Sequence, residues 1–194
     1  RIDVLVNNAA FVRWENVLDM SVEDVERTMA VGFHAIVYTT HRVLPAMLAR
    51  GRGHIINIGS SAGRVFAGNS SAAYAAVKAA VDGYSQTLQV ELRNTPVQVM
   101  LVRPGTVAGT EFFGKHVPSS RMPRLADFVP PLTPDEVARA ILEGLQRRRP
   151  IVDVPRSLGA FYLLFEHAPG FMRWLARLGG SARSDFSMLP SRTG

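Results

Sequence analysis

The chain of 194 residues reads as an α/β protein built on a parallel sheet. Three observations predict this. Short apolar runs (Ile2–Val6, His54–Ile58, Val97–Val102 and Ile151–Val154) alternate with segments of helical period. The two middle runs are almost unbroken, as in strands covered by helices on both faces. The helical segments open on capping signals and close on glycine or a run of cations.

Each element follows in order. A strand over Asp3–Asn8 leads into Asn7-Asn8-Ala9-Ala10. Ser21-Val-Glu-Asp24 resembles a capping box, because Asp24 can reach back to the cap, and it opens a helix to about Ala30. Phe33 to Ala49 reads as a long amphipathic helix with Val37, Val43 and Leu48 among its apolar positions. Gly51 stands just past its end, so Gly51-Arg-Gly53 is a helix cap and turn. The strand His54–Ile58 runs into Gly59-Ser-Ser-Ala-Gly63. A helix over Ala72–Leu92 and a strand over Val97–Val102 come next, then an irregular segment from Pro104 to Pro131. Thr133-Pro-Asp-Glu136 is a second capping box, with proline at the first helical position, and its helix runs to about Gln146. Ile151–Val154 is a short last strand.

Residues 157–178 are unusually apolar and aromatic, with a break at Pro169-Gly170. They read either as a helix pair that closes a pocket or contacts a partner subunit, or as a basic amphipathic anchor at a membrane surface, with Trp174 at headgroup depth and Arg173 and Arg177 toward lipid phosphate. The chain thus divides into a body (1–155), an apolar tail (156–179) and a polar, mobile terminus (180–194).

Composition narrows the function. There is no cysteine, so disulfides and thiolate metal sites are excluded, which fits a reducing, cytoplasmic setting. Five scattered histidines lack metal-ligand spacing, and no metal is expected. The net charge of +6 is carried by arginine, with only two lysines, and its one cluster, Arg147-Arg148-Arg149, sits at a helix C-terminus, where cations oppose the helix dipole. Nucleic acid is therefore not expected as a partner. No transmembrane run is present, so the tail is the one candidate for membrane contact.

The chemistry lies in Tyr74-Ala-Ala-Val-Lys78. A phenol is a poor base near its ordinary pKa of about 10, but an ammonium at i+4 shares its helix face and favours the phenolate. Tyr74 would then exchange a proton with a substrate hydroxyl near neutral pH. Ser60 or Ser61, at the end of the preceding strand, could donate to the same substrate oxygen. No Gly-x-Ser-x-Gly elbow is present.

Taken together, Asn7-Asn8-Ala9-Ala10, Ser60, Tyr74-x-x-x-Lys78 and Pro104-Gly105 resemble the short-chain dehydrogenase/reductase family, in order and approximate spacing, from Arg1 to about Pro155. The resemblance implies a Rossmann-like doubly wound parallel sheet of which this chain holds the second half, about four strands with flanking helices. It also implies hydride transfer between NAD or NADP and an alcohol/carbonyl pair. Tyr74 would be the acid/base, Lys78 would lower its pKa and hold the nicotinamide ribose, and a serine would polarise the carbonyl. Counting from Asn57 through Gly63 selects Ser60 and counting back from Tyr74 selects Ser61; the strand-anchored count favours Ser60. Asn7, Asn8, Ala9, Pro104, Gly105, Val107 and Thr110 would join Tyr74 and Lys78 at the cofactor, Phe112, Phe113 and Phe128 would wall an apolar pocket, and helix 72–92 would pair two copies.

Two positions depart from the family pattern. Ala10 stands for a glycine, and Gly32 stands where an asparagine usually holds a water in the proton relay. The chain also enters directly on a strand; the Gly-rich pyrophosphate turn is expected in roughly 80 further residues that would precede it. The leading expectation is an NAD(P)-dependent oxidoreductase acting on an apolar alcohol or carbonyl. The alternative is a truncated or non-catalytic binding or scaffold protein of the same fold.

Overall fold

The computed structural model describes residues 1–65, 71–117 and 130–177. Strands β1 (Val4–Asn7), β2 (Gly53–Ile58), β3 (Val97–Pro104) and β4 (Ile151–Val154) form one parallel sheet in chain order. Helices α1 (Val22–Met29), α2 (Ala35–Ala49), α3 (Ala72–Glu91), α4 (Glu111–His116) and α5 (Pro134–Gln146) lie in the connections; α6 (Leu158–His167) and α7 (Pro169–Arg177) follow β4. Parallel strands need such long crossovers, so the alternation read from the sequence sets the topology.

The pleat sorts side chains between two helical layers. Leu5, Ile55, Val97 and Val99 meet Val43 and Met47 of α2 and Leu88 of α3. On the other face Ile56, Met100, Val102, Val152 and Val154 pack against Val137, Ala140, Ile141 and Leu145 of α5. Both faces of β2 and β3 are therefore dry, which is why those strands lack polar alternation. β1 is different: it stands at the end of the strand order, and Val4 and Val6 remain about half exposed.

Several elements differ from the sequence reading. Asp24 does not complete a capping box: Ser21 Oγ accepts from its N–H at 3.1 Å, but its carboxylate turns to Arg13 at 3.0 Å. At Thr133 the box closes both ways, Glu136 N–H to Thr133 Oγ1 at 3.3 Å and Thr133 N–H to Glu136 Oε2 at 2.7 Å. The helix expected from Phe33 begins at Ala35, and Phe33 and His34 instead end a π-helical turn over Ala30–His34. The segment expected to be irregular contains α4, with an i,i+4 pair between Glu111 and Lys115 at 2.6 Å. Phe128 and the 180–194 terminus lie outside the described residues.

Candidate active site

The carboxyl ends of the strands share one edge of the sheet, and the chemistry-bearing residues gather there. β2 ends at Ile58, and Ser60 caps a short 3₁₀ turn over Ser61–Gly63 by accepting from Ala62 N–H at 3.1 Å. Gly63 makes this turn possible: a Cβ there would stand 2.6 Å from the carbonyl oxygen of Lys78, so the loop lies directly on α3. Helix α3 starts at Ser71, whose Oγ accepts from Tyr74 N–H at 3.4 Å. Its inward face then presents Tyr74, Val77, Lys78, Val81, Asp82 and Ser85 at helical spacing.

These elements bring Ser60, Tyr74 and Lys78 together. The Ser60 hydroxyl lies close enough to the Tyr74 phenol to act on its pKa. Lys78 Nζ lies 5.7 Å from the centre of the Tyr74 ring and donates to the Ile58 carbonyl at 2.9 Å. Tyr74 is 9% exposed and Lys78 5%, because Trp14 and Phe112 flank the phenol with ring centres at 5.2 and 5.6 Å. Val12, Val77 and Val117 close the cluster, with Phe113 packed against it.

The electrostatics correct one expectation. Lys78 was expected to draw the Tyr74 pKa down, yet burial pushes the phenol up to about 12, and the nearby Ser60 hydroxyl offsets only part of that. Burial also brings Lys78 down to about 8. The i,i+4 argument treats both groups as solvated. Here the aromatic cover removes water from both, and desolvation disfavours each charged form. Tyr74 is thus a neutral hydrogen-bond donor at neutral pH and Lys78 a cation with no carboxylate partner among the described residues.

The other expected residues fall into two sets. Asn7 closes β1 opposite Asn57, in a chain where each group donates to the next: Thr39 Oγ1 to Asn7 (2.9 Å), Asn7 to Asn57 (2.8 Å), Asn57 to Ser85 (2.9 Å) and Ser85 to the Val81 carbonyl (2.6 Å). Pro104 closes β3, Gly105 N–H donates to the Val154 carbonyl at 2.8 Å, and Val107 bridges to Leu132. Thr110 precedes α4, its hydroxyl 3.4 Å from the Val107 carbonyl. Asn8 and Ala9 are exposed beyond β1, and Ser61 starts the 3₁₀ turn, where its carbonyl accepts from Arg64 and Val65.

The sequence reading passed over Trp14, Asn57 and Ser85. An asparagine in the same register at the ends of two apolar strands was the available signal for Asn57. Gly32 has a packing reason: a Cβ there would meet Val77 Cγ2 at 2.8 Å, inside the turn of α3 that carries Tyr74 and Lys78. Arg103 and Asp82 were also missed. Both are buried, with Arg103 Nε at 2.5 Å and Nη2 at 3.0 Å from the Asp82 carboxylate.

Residues 1–120 match the family model of the short chain dehydrogenases. The chain belongs to this family. Among curated relatives it is 39% identical over 144 residues to an NADP-dependent 3-hydroxy acid dehydrogenase of Salmonella typhi, covering 72% of this chain and 57% of the relative. It is 34% identical over 160 residues to retinol dehydrogenase 10 of Rattus norvegicus, covering 81% of this chain and 46% of that protein. The chain thus spans about half the length of these relatives. A short-chain dehydrogenase from Sphingobium yanoikuyae in complex with NADPH superposes with a TM-score of 0.72 at 27% identity, over 89% of this chain and 65% of that one. The closed form of serine dehydrogenase complexed with NADP+ gives 0.69 at 34% identity, over 78% and 64%.

Proposed function

We propose that the protein is an oxidoreductase that interconverts an alcohol and a carbonyl on an apolar substrate, with NAD or NADP as hydride carrier. The observation that carries this is the buried meeting of Ser60 and Tyr74 beside Lys78, a cation with no carboxylate partner among the described residues. Relatives named as NADP-dependent and neighbours solved with NADPH or NADP+ support the cofactor class and favour NADP.

The residues present fit the nicotinamide-ribose end of such a cofactor. Lys78 is an ammonium at the carboxyl edge of the sheet and spends one N–H on Ile58, so it has donors left for ribose hydroxyls. Asn7, Asn8, Ala9, Pro104, Gly105, Val107 and Thr110 stand at or beyond strand ends on the same edge. No Gly-rich pyrophosphate turn occurs in the 194 residues. When bound, the cofactor supplies the hydride.

The protein's own residues handle the proton. In the reducing direction the neutral Tyr74 O–H donates to the substrate oxygen as that oxygen gains charge, and the Ser60 hydroxyl donates to the same oxygen. Lys78, charged at pH 7 with its pKa near 8, stands 5.7 Å from the centre of the Tyr74 ring and keeps donors free for the ribose hydroxyls. Trp14, Phe112 and Phe113 exclude water and offer an apolar wall, which suits a hydrocarbon-rich substrate. Residues 1–155 are the catalytic body on this reading, and the outer side of α3, where Ala72, Ala76 and Gly83 are exposed, contacts a second copy.

Nicotinamide absorbance with apolar ketones and alcohols, followed in parallel with NADH and NADPH, tests the proposal. Tyr74→Phe should lower turnover by about 10²–10⁴-fold. Turnover unchanged by that substitution, or absent from the intact protein, favours the non-catalytic scaffold.

A further inference from the structure

Helices α6 and α7 turn one side to the body and leave the other uncovered. Tyr162, Phe165 and Met172 are buried, and Arg103 lies 5.7 Å from the Tyr162 ring. On the outer side Leu163 is 59% exposed, Leu164 53%, Phe171 56% and Trp174 54%. The Phe171 and Trp174 rings lie 5.8 Å apart and form a continuous aromatic surface. A helix that is apolar around its whole circumference is ordinarily buried, and α6 reads Leu-Gly-Ala-Phe-Tyr-Leu-Leu-Phe before its first charge. Exposed apolar surface of this kind marks an interaction site.

Charge selects the occupant. From Leu158 to Gly194 the sequence carries four arginines and two carboxylates, Glu166 and Asp185, and Arg173 and Arg177 stand four positions apart in α7. The whole chain is at +6, so a second copy would bring like charge to the same face. An anionic, planar, apolar-cored partner satisfies both features. Among the described residues no helix is long and apolar enough to cross a membrane, so the contact lies on the bilayer surface.

We propose that α6 and α7 form a docking surface for an anionic lipid bilayer, with Leu163, Leu164, Phe171 and Trp174 entering the interface and the basic balance of the 158–194 sequence supplying the electrostatic attraction. Tryptophan is suited to this depth, its ring apolar and its N–H able to meet the headgroups.

Flotation of the purified chain with vesicles of phosphatidylcholine plus phosphatidylglycerol, and with phosphatidylcholine alone, tests it, with tryptophan emission read in the same tubes. Trp14 is 8% exposed, so a blue shift on mixing reports Trp174. The chain should float with the anionic vesicles roughly tenfold more than with neutral ones, and high salt should release it. Phe171→Ser with Trp174→Ser should reduce flotation roughly tenfold while far-ultraviolet circular dichroism stays unchanged, since both rings are surface-exposed. Arg173→Gln with Arg177→Gln should remove the preference for anionic lipid. Failure of the intact chain to float with either vesicle overturns the proposal, as does equal flotation of the serine variant. A dimer in solution that the serine variant splits, with no vesicle binding, overturns it in favour of a protein interface.

Discussion

Helix α3 carries two buried charged groups one turn apart, and the protein treats them in opposite ways. Asp82 is matched: Arg103 grips it bidentately, and Asp153 adds an ion pair to Arg103 at 3.6 Å. Burial pulls Arg103 down, and pairing with Asp82 more than restores it, leaving the guanidinium above its ordinary value. Lys78 is left with a carbonyl and an aromatic ring, and burial alone sets its pKa near 8. A paired buried charge ties α3 to β3 and β4. An unpaired one is costly to keep, and a fold that keeps it at the edge where ligands bind holds it ready for a partner.

The first way to break the comparison is to strip the matched site. Asp82→Ala leaves Arg103 buried with Asp153 as its remaining partner and should destabilise the fold by about 3–5 kcal/mol in urea unfolding. Replacing both groups by apolar residues, Asp82→Leu with Arg103→Met, should recover most of that loss. If the single variant were near neutral, the pair would not be the anchor described.

The unmatched site makes a prediction of opposite character. The pKa of Lys78 falls on folding from 10.5 to about 8, so the unfolded chain binds the extra proton between those values. Stability therefore rises with pH through that window. Lys78→Met removes the titration, so the wild-type-minus-variant difference in unfolding free energy should climb by about 2–3 kcal/mol from pH 7 to pH 10. A flat difference would mean that Lys78 is solvated or paired. Gly32→Asn, which forces a side chain against Val77, should cost about 1–2 kcal/mol even though it improves local helix propensity. At the small end, Glu143→Gln on the surface, where Arg147 and Arg156 approach at 3.3 and 2.6 Å, should change stability by no more than about 0.5 kcal/mol.

What the sequence disclosed follows the range of the interactions concerned. Ile151–Val154 and Pro134–Gln146 are found where read, because a capping box and a short apolar run are local signals. The π-helical turn at Ala30–His34 was not legible: Gly32 meets Val77, 45 positions away, and no local pattern encodes that approach. Tyr74 and Lys78 were legible as a pair by their i,i+4 spacing, and Ser60 by its place after β2. The sign of the Tyr74 shift was not. It depends on Trp14 and Phe112, which reach the ring from segments 60 and 38 residues distant. Arg103 was passed over because its partner Asp82 is supplied by another element.

The titration of Lys78 itself tests this account most directly. The chain has only two lysines, Lys78 and Lys115, so lysine labelled with ¹³C and ¹⁵N gives two side-chain signals, and Lys78→Met assigns them by deletion. The signal lost in that variant should titrate near pH 8 in the folded protein. A midpoint at or above 10.5 would contradict the account, because Lys78 would then be hydrated or ion-paired and no different in kind from the charges around Asp82.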